Sequence, residues 1–183
     1  MFSEKKKMKD LLCEGLFLLM QEKPFEKITI KQICDRTGVI RGTFYNHFMD
    51  KYEALEYLVD SMLCEDMDEA DLKSSFKNMF NTIYLNQDFF KSCFKITGQN
   101  GFEELLQNIF ESIFDDVFSM LDLSELDSLF TRQFLVEYYS NNAIYFFRKW
   151  VKENFRTSCD EYYTLVYRTF RNSLEAFKIK GMN

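Results

Sequence analysis

Residues 29–48 read TIKQICDRTGVIRGTFYNHF, and this stretch decides the fold of the chain. Thr29 with Gln32 three positions later is the pattern of a capping box, which starts a helix. Gly38 ends that helix, because glycine readily takes the positive φ of a tight turn. A second short helix is predicted over residues 41–48. Two short helices joined by such a turn are the layout of a helix-turn-helix, whose second helix fits a major groove about 12 Å wide.

Both short helices carry apolar residues at positions suited to mutual contact. The predicted contact positions are Ile30, Ile33, Val39, Phe44 and Phe48. Cys34 is small enough to let the two helices approach closely. Upstream, apolar residues at helical spacing predict an amphipathic helix over residues 3–21, which ends before Pro24. Downstream, Asp50 is the predicted cap of a further helix.

The composition of the chain predicts an all-α protein. Its 183 residues hold only 6 Gly and 1 Pro, so the many turns of a strand-rich fold would lack their usual residues. Aromatic residues make up 17% of the chain, which predicts a core rich in aromatic rings. Beyond residue 70, apolar spacing predicts long helices over residues 71–86, 87–97, 101–121, 124–152 and 158–177. The fourth of these has Ser124 as its predicted cap, with Asp127 three positions later.

Charge is unevenly distributed along the chain. Residues 1–51 carry a net charge of +3 and residues 52–183 a net charge of −9. A basic N-terminal third on an acidic protein fits a polyanionic partner, although solvated helix faces also produce such an imbalance. The 5 cysteines include no CxxC pair, which favours buried thiols over a disulfide framework or a zinc site. No run approaches the roughly 18 apolar residues that span a bilayer, so we expect a soluble cytoplasmic protein without a membrane partner.

Nothing in the sequence predicts an enzyme, a cofactor or a metal site. His47 is the single histidine of the chain, which excludes most catalytic triads and metal sites, and GxGxxG, P-loop and HExxH motifs are absent. Two acidic pairs, Glu103-Glu104 and Asp115-Asp116, do not share a helix face, because neighbouring side chains diverge around a helix. We therefore expect solvated charges there, and no catalytic residues.

The stretch Gly42-Thr43-Phe44-Tyr45-Asn46-His47-Phe48, followed by Lys51, resembles the TetR family of bacterial transcriptional regulators. The family pattern is Thr-x-x-x-Ile-Ala-x-x-Ala-Gly-Val-Ser-x-Gly-Thr-Phe-Tyr-x-His-Phe-x-x-Lys, and the chain follows it closely from Thr29 to Lys51. The resemblance covers residues 5–65, about a third of the chain. It implies an N-terminal three-helix DNA-binding domain followed by a C-terminal helical bundle.

Three positions depart from the family pattern. Cys34 and Thr37 stand where alanine is usual, and Ile40 replaces the Ser or Thr that caps the recognition helix. Loss of such a cap costs about 0.5–2 kcal/mol of helix stability. The Ile40 substitution therefore alters the grip on phosphate expected at the start of the recognition helix, without threatening the fold.

The resemblance implies distinct roles for the side chains of this motif. Residues expected to hold the DNA backbone without reading sequence are Thr29, Thr43, Tyr45 and Lys51. Residues expected nearest the groove are Arg41, Asn46 and His47. Arg41 is the expected base contact, most naturally to guanine, and Gly42 lets the backbone approach the phosphates. Alternatively, His47 is structural and Tyr45 merely covers the helix surface.

The resemblance also implies two domains. Residues 1–50 form the DNA-binding domain, a helix over about residues 50–67 links it onward, and residues 68–183 serve ligand binding and dimerisation. The aromatic residues of the second domain either fill a core or line an apolar pocket with a few polar handles. The resemblance favours a pocket for a small apolar or amphipathic ligand, with candidate residues Phe110, Phe114, Tyr138, Asn141 and Asn142. The last two helices are expected to form a two-fold homodimer interface.

The function that these features predict is a dimeric transcription regulator that binds double-stranded, palindromic DNA. A repressor released by its ligand is the favoured form. One competing function is a protein-binding coactivator on the same scaffold, with weak DNA affinity of its own. Another is a helical carrier of apolar small molecules, which would lack salt-dependent affinity for DNA.

Overall fold

The computed structural model describes residues 4–64, 71–98, 101–123 and 129–176. Within these ranges every element is helical, which confirms the predicted all-α class. The helices are α1 (Glu4–Glu22), α2 (Ile30–Thr37), α3 (Arg41–Tyr45), α4 (Lys51–Cys64), α5 (Leu72–Leu85), α6 (Gln87–Cys93), α7 (Phe102–Met120), α8 (Arg132–Lys152) and α9 (Cys159–Ala176). A 3-10 turn, Phe25–Lys27, lies between α1 and α2.

The chain forms two compact units. The described residues of 4–64 and 88–102 form the first unit, and the described residues of 71–87 and 103–176 form the second. The segment 88–102, which the sequence assigned to the second domain, thus lies in the first unit. Its Phe89 ring is buried and lies 5.0 Å from the Phe17 ring of α1. Helical periodicity predicts that such a ring is buried, but not which unit buries it.

The start of α8 differs from the predicted one. The structure begins this helix at Arg132, where Thr131 Oγ1 accepts the backbone N–H of Phe134 at 3.1 Å. This is an ordinary N-cap, since a threonine hydroxyl satisfies one of the free amides of the first turn. The predicted cap, Ser124 with Asp127, lies outside the described residues.

Helices α1 and α2 approach each other closely at Gly15 in the first unit. A Cβ atom on this residue would collide with Thr37 Cγ2 of α2. Thr37 has little freedom to move, because its hydroxyl donates to Ile33 O at 2.9 Å and its β-branched side chain prefers few rotamers. Leu12 and Leu16, on the same helix as Gly15, are completely buried.

The core of the second unit is built around Trp150. Its indole ring stacks on Tyr162 at 4.6 Å, and Tyr84 stacks on it at 5.6 Å. Trp150 Nε1 donates to Thr157 O at 3.0 Å, so its polar atom is satisfied. Phe155 packs edge-on against the indole at 4.9 Å and has a φ of 53°, a left-handed conformation that is unfavourable for phenylalanine. The aromatic packing holds this strained turn in place.

The cysteines are free thiols. Cys13, Cys34 and Cys93 are buried, as predicted, whereas Cys64 and Cys159 are half-buried. Burial raises the pKa of Cys13 to about 12, and its Sγ donates to Ala54 O at 3.4 Å. These environments are typical of structural thiols rather than reactive ones.

We predict that Gly15→Ala destabilises the protein, although alanine is the better helix former by about 1 kcal/mol. The new methyl group overpacks the contact with Thr37, and overpacking costs about 1–3 kcal/mol. In a Thr37→Ser background, where the hydroxyl stays and Cγ2 is removed, the same Gly15→Ala change stabilises the protein. Chemical denaturation of the four variants measures both effects. Equal effects of Gly15→Ala in the two backgrounds would contradict the packing described here.

Candidate nucleic-acid interface

The capping box that starts α2 is present as predicted. Thr29 Oγ1 accepts the Gln32 backbone N–H at 3.3 Å, and Gln32 Oε1 accepts the Thr29 backbone N–H at 3.0 Å. Thr29 is exposed, and its hydroxyl acts as the acceptor in this box. The hydroxyl proton can therefore be donated to an external acceptor without loss of the cap.

The turn between α2 and α3 depends on Gly38. This residue has a φ of 71° and a ψ of 20°, and its backbone N–H donates to Cys34 O. The next amide, of Val39, donates to the same carbonyl at 3.1 Å. A left-handed residue here is what the sequence predicted, and it ends α2 and turns the chain toward α3.

Helix α3 is shorter than the predicted helix over residues 41–48. It ends at Tyr45, and the chain then turns through Asn46 and His47. The turn still keeps helix-like hydrogen bonds, because Phe44 O accepts the backbone N–H of both His47 and Phe48 at 2.9 Å. Phe44 and Phe48 are buried, as predicted, so the two rings anchor both ends of this segment.

The predicted DNA-contacting residues of this segment lie together on α3 and the following turn. Arg41, Gly42, Tyr45 and Asn46 are exposed, whereas Thr43 is half-buried. Packing within the protein does not require a glycine at position 42, since a Cβ added to Gly42 would meet only Ile40 Cδ1 at 3.9 Å. The absence of a side chain at this exposed position therefore leaves room for a partner to approach the backbone.

His47 is half-buried at the end of this segment. Its Nδ1 is buried and has no hydrogen-bond partner, a property that no other side-chain nitrogen or oxygen shares in the part of the chain that the structure describes. Such atoms are uncommon in proteins. Because one ring nitrogen is turned into the protein, at most the other nitrogen remains for an external contact.

Lys51 does not have the geometry of a free phosphate-binding lysine. Its Nζ donates to three backbone carbonyls, Phe25 O at 2.8 Å, Glu26 O at 3.2 Å and Ile28 O at 3.0 Å. An ammonium group has three N–H donors, so all of them are used. Burial lowers the pKa of Lys51, and the negative charges of Glu26 and Asp50 oppose that shift. In this structure Lys51 therefore holds the α1–α2 connection against the start of α4, with its three donors directed at backbone carbonyls rather than at solvent.

A second lysine, Lys9 of α1, has a defined position that the sequence did not predict. Its Nζ lies 5.0 Å from the centroid of the Phe48 ring and 4.7 Å from that of Tyr57. Cation–π contacts of this kind fix the charge over the aromatic faces. The Tyr57 hydroxyl also donates to Asp10 at 3.0 Å. Spacing in the sequence gave no signal for this contact, because it joins α1 to residues about 40 positions later.

The second unit contains a narrow apolar cavity of about 40 Å³. Phe110 and Phe114, two of the predicted ligand-binding residues, line it together with other aromatic side chains of α5, α7, α8 and α9. Tyr139 also lines it, and its hydroxyl shares a hydrogen bond with Ser173 Oγ at 2.6 Å. Burial raises the pKa of Tyr139 to about 12, so the phenol is neutral at physiological pH. The cavity wall therefore offers no charge to a ligand.

The structure does not bring the other predicted ligand-binding residues to this cavity. Tyr138 and Asn141 are exposed, and Asn142 is half-buried. The Asn141 and Asn142 side-chain amides donate to the carbonyls of Glu137 and Tyr138 in their own helix at 2.7 Å. Neighbouring residues point about 100° apart around a helix, so the register that turns Tyr139 inward turns Tyr138 outward. Tyr138, Asn141 and Asn142 are therefore not part of the lining of this cavity.

Among the described residues, no group of three or more His, Cys, Asp or Glu side chains is arranged to hold a metal ion. None of the described helices is long and apolar enough to cross a membrane.

Comparisons with known sequences match both parts of the chain. Residues 17–58 match the family model "Bacterial regulatory proteins, tetR family", and residues 70–172, more than half of the chain, match the model "Transcriptional regulator C-terminal region". An uncharacterized HTH-type transcriptional regulator of Bacillus subtilis (strain 168), YxbF, is 31% identical over 74 residues. That match covers 40% of this chain and 19% of YxbF, so the chain spans about a fifth of this relative.

Solved structures share the fold at low sequence identity. The dihydroxyacetone kinase operon activator DhaS superposes with a TM-score of 0.68 at 18% identity, over 93% of this chain and 97% of DhaS. NalD of Pseudomonas aeruginosa, the secondary repressor of the MexAB-OprM multidrug efflux pump, superposes with a TM-score of 0.59 at 15% identity, over 92% and 97% of the two chains. These likenesses support the fold, and the sequence models identify the relationship. The chain belongs to the TetR family of bacterial transcriptional regulators.

Proposed function

We propose that this regulator is a repressor that binds a palindromic operator as a homodimer and leaves it when a small apolar ligand binds the second unit. The observation that carries the proposal is the α3 segment, residues 41–47, which presents exposed polar side chains and the exposed Gly42. This segment follows helix α2, which begins with a capping box and ends at the left-handed Gly38. A surface of this kind suits a major groove, which presents hydrogen-bonding edges flanked by phosphates. A protein that binds chromosomal DNA works in the bacterial cytoplasm, which is the location we infer.

The exposed side chains divide by chemistry. Hydroxyls suit phosphate oxygens, so Thr29, Thr43 and Tyr45 are proposed backbone contacts. Arg41 is the proposed base contact, because a guanidinium pairs with the O6 and N7 atoms of guanine. Gly42 has no side chain, so we propose that the DNA backbone approaches the protein backbone closely at this residue. Asn46 and the outward nitrogen of His47 are proposed to lie at the groove edge. Lys51 positions these residues and is not proposed as a phosphate contact.

A homodimer follows from the geometry of palindromic sites and from the surface of the second unit. Two reading helices bind successive major grooves when they are about 34–36 Å apart. The outer face of α8 exposes Phe134, Tyr138 and Tyr145, and α9 exposes Leu165. Grouped apolar side chains on a surface often mark an interface. We propose that the faces of α8 and α9 pair around a two-fold axis.

The proposed ligand is uncharged and largely apolar. The cavity is lined by aromatic rings and has no charged group, so an ion would lose its hydration without compensation. Its volume of about 40 Å³ has room for little more than a water molecule. Binding therefore requires the rings to move apart. The ligand then favours a conformation of the second unit with an opened core, and this change of conformation can alter DNA binding.

The direct test is binding of the purified protein to its own upstream DNA at several salt concentrations. A tight, sequence-selective complex that weakens steeply with salt supports the proposal, because phosphate contacts release counterions. Weak binding that is equal on a scrambled duplex contradicts it. NalD is described as a repressor and DhaS as an activator, so a promoter–reporter assay of the deleted and intact gene decides the sign of regulation.

Arg41→Ala is predicted to weaken binding to the upstream operator by about 1–3 kcal/mol and to relax preference at one base pair in each half-site. Arg36→Ala is the matched control, because the Arg36 guanidinium already pairs with Glu22 at 2.6 Å. The control removes the same charge with little effect on base preference. Competition with single-base operator variants measures both. An equal loss on every duplex would assign Arg41 to the DNA backbone instead.

Lys51→Met is predicted to lower the free energy of unfolding by about 1–3 kcal/mol, because three backbone carbonyls lose a hydrogen bond to the ammonium group and two of these bonds are part-buried. The salt dependence of DNA binding should not change, provided that it is measured where the variant is folded. A true phosphate contact would instead lower the slope of log K against log salt by about 0.9 for each subunit. Lys27→Met, at an exposed lysine in the same connection, is the control and should leave stability within about 0.5 kcal/mol.

Phe114→Ala is predicted to cost about 3–5 kcal/mol of stability, because it removes a ring from the cavity wall. The enlarged cavity should bind a small apolar solute such as toluene, as engineered apolar cavities do. Toluene should therefore raise the Tm of the variant well above any effect on the wild-type protein. If toluene has the same effect on both proteins, this ring does not enclose an apolar cavity.

A further inference from the structure

Ile40 is an exposed aliphatic residue at the start of the recognition helix. It is 76% exposed and precedes Arg41, the proposed base contact. It has extended backbone dihedrals, with a φ of −83° and a ψ of 154°, and its side chain makes no capping hydrogen bond. An isoleucine in this place thus gives up a cap that serine or threonine would supply, which is worth about 0.5–2 kcal/mol.

The position of Ile40 is fixed although its side chain is uncovered. Its carbonyl accepts the backbone N–H of Thr43 at 3.0 Å and that of Phe44 at 3.4 Å, which ties the residue to the first turn of α3. Phe44 is in turn completely buried. A β-branched side chain has few rotamers, so the isoleucine loses little entropy when it makes a contact.

Ile40 and the exposed Gly42 lie side by side. A Cβ built on Gly42 would be 3.9 Å from Ile40 Cδ1, and apart from its chain neighbours and the backbone of its own helix it would meet no other described atom within 4 Å. The isoleucine therefore borders the place where the backbone is open to approach. Because Ile40 is mostly exposed, packing against the described residues does not account for an aliphatic side chain beside this opening.

One apolar group is available to it in the major groove. The C5-methyl of thymine is the aliphatic feature of the base edges, and apolar side chains that contact it distinguish thymine from the other bases. Isoleucine forms no hydrogen bond with a phosphate, so it gains nothing from the DNA backbone. Burial of a methyl group against it removes apolar surface from water on both sides.

We propose that Ile40 determines operator specificity by contacting the C5-methyl group of a thymine in each half-site, next to the base pair that Arg41 contacts. The inference rests on the proposed DNA-binding function and adds a base preference to it. Ile40 and Arg41 then contact neighbouring base pairs, Ile40 through an apolar side chain and Arg41 through a charged one. Isoleucine at this position lacks the capping hydrogen bond of serine or threonine, but it allows the protein to distinguish thymine from the other bases.

The test removes the methyl group from the DNA and the aliphatic side chain from the protein. Duplexes are first selected by the wild-type protein from a pool with a randomised 30-bp region, and each thymine of the best duplex is then replaced singly by deoxyuridine. Affinities are measured for wild type, Ile40→Ala and Met49→Ala. Met49 is the matched control, because its side chain is 79% exposed and follows α3 rather than preceding it.

We expect one thymine in each half-site where loss of the methyl group weakens wild-type binding about fourfold, the value of one buried methyl group, and about fifteenfold when both half-sites are changed. Ile40→Ala should reduce the effect at this thymine to less than twofold, whereas Met49→Ala should leave it at the wild-type value. Stability of Ile40→Ala should be unchanged, since the side chain is exposed and does not cap the helix.

The other outcomes overturn the inference in distinguishable ways. If a selective duplex is recovered but Ile40→Ala and wild type respond alike to every deoxyuridine, or no thymine is selected, then Ile40 does not read a methyl group and the proposed function stands. If no duplex is enriched at all, the proposed DNA-binding function fails, and the inference fails with it.

Discussion

The ammonium group of Lys51 holds the backbone of the α1–α2 connection against the first turn of α4. Its Nζ donates to the carbonyls of Phe25, Glu26 and Ile28. The Phe25 carbonyl also accepts the Ile28 backbone N–H at 3.0 Å, which closes the 3-10 turn of this connection. The ammonium group lies 4.5 Å from the centroid of the Phe25 ring, which is itself buried. Because α2 starts at the end of this connection, these contacts of Lys51 fix where the capping box at Thr29 begins. The placement of α2, its turn and α3 depends on that start.

A short recognition segment can be precise when its support is rigid. Helix α3 has too few residues to be stable alone, and its first turn has no side-chain cap. The buried rings of Phe44 and Phe48 anchor it to the core of the first unit. Lys9 of α1 makes a cation–π contact with the Phe48 ring. The exposed residues of the α3 segment are therefore not needed for folding, and they can vary with the DNA sequence that the protein binds. In the second unit, by contrast, the buried aromatic residues pack against one another and leave a cavity of only about 40 Å³, so a ligand can enter only when the rings move apart.

Local signals in the sequence predicted the parts of the structure that are set by neighbouring residues. The capping box at Thr29, the left-handed Gly38 and the buried Phe44 and Phe48 each follow from residues within a few positions. Three features could not be predicted in this way. Lys51 meets carbonyls more than 20 positions away, the unit that buries Phe89 depends on tertiary packing, and the inward turn of Tyr139 rather than Tyr138 is a difference of one residue in helical register. The contacts with DNA remain proposals.

The central claim is that two copies of the α3 segment enter successive major grooves of one operator. Methylation of guanine N7, an atom that lies in the major groove, tests it most directly on the chain's own upstream DNA. The account predicts two protected clusters of guanines, about one helical turn apart and related by the operator's two-fold symmetry. Protection that is absent, or spread evenly without paired clusters, would contradict it.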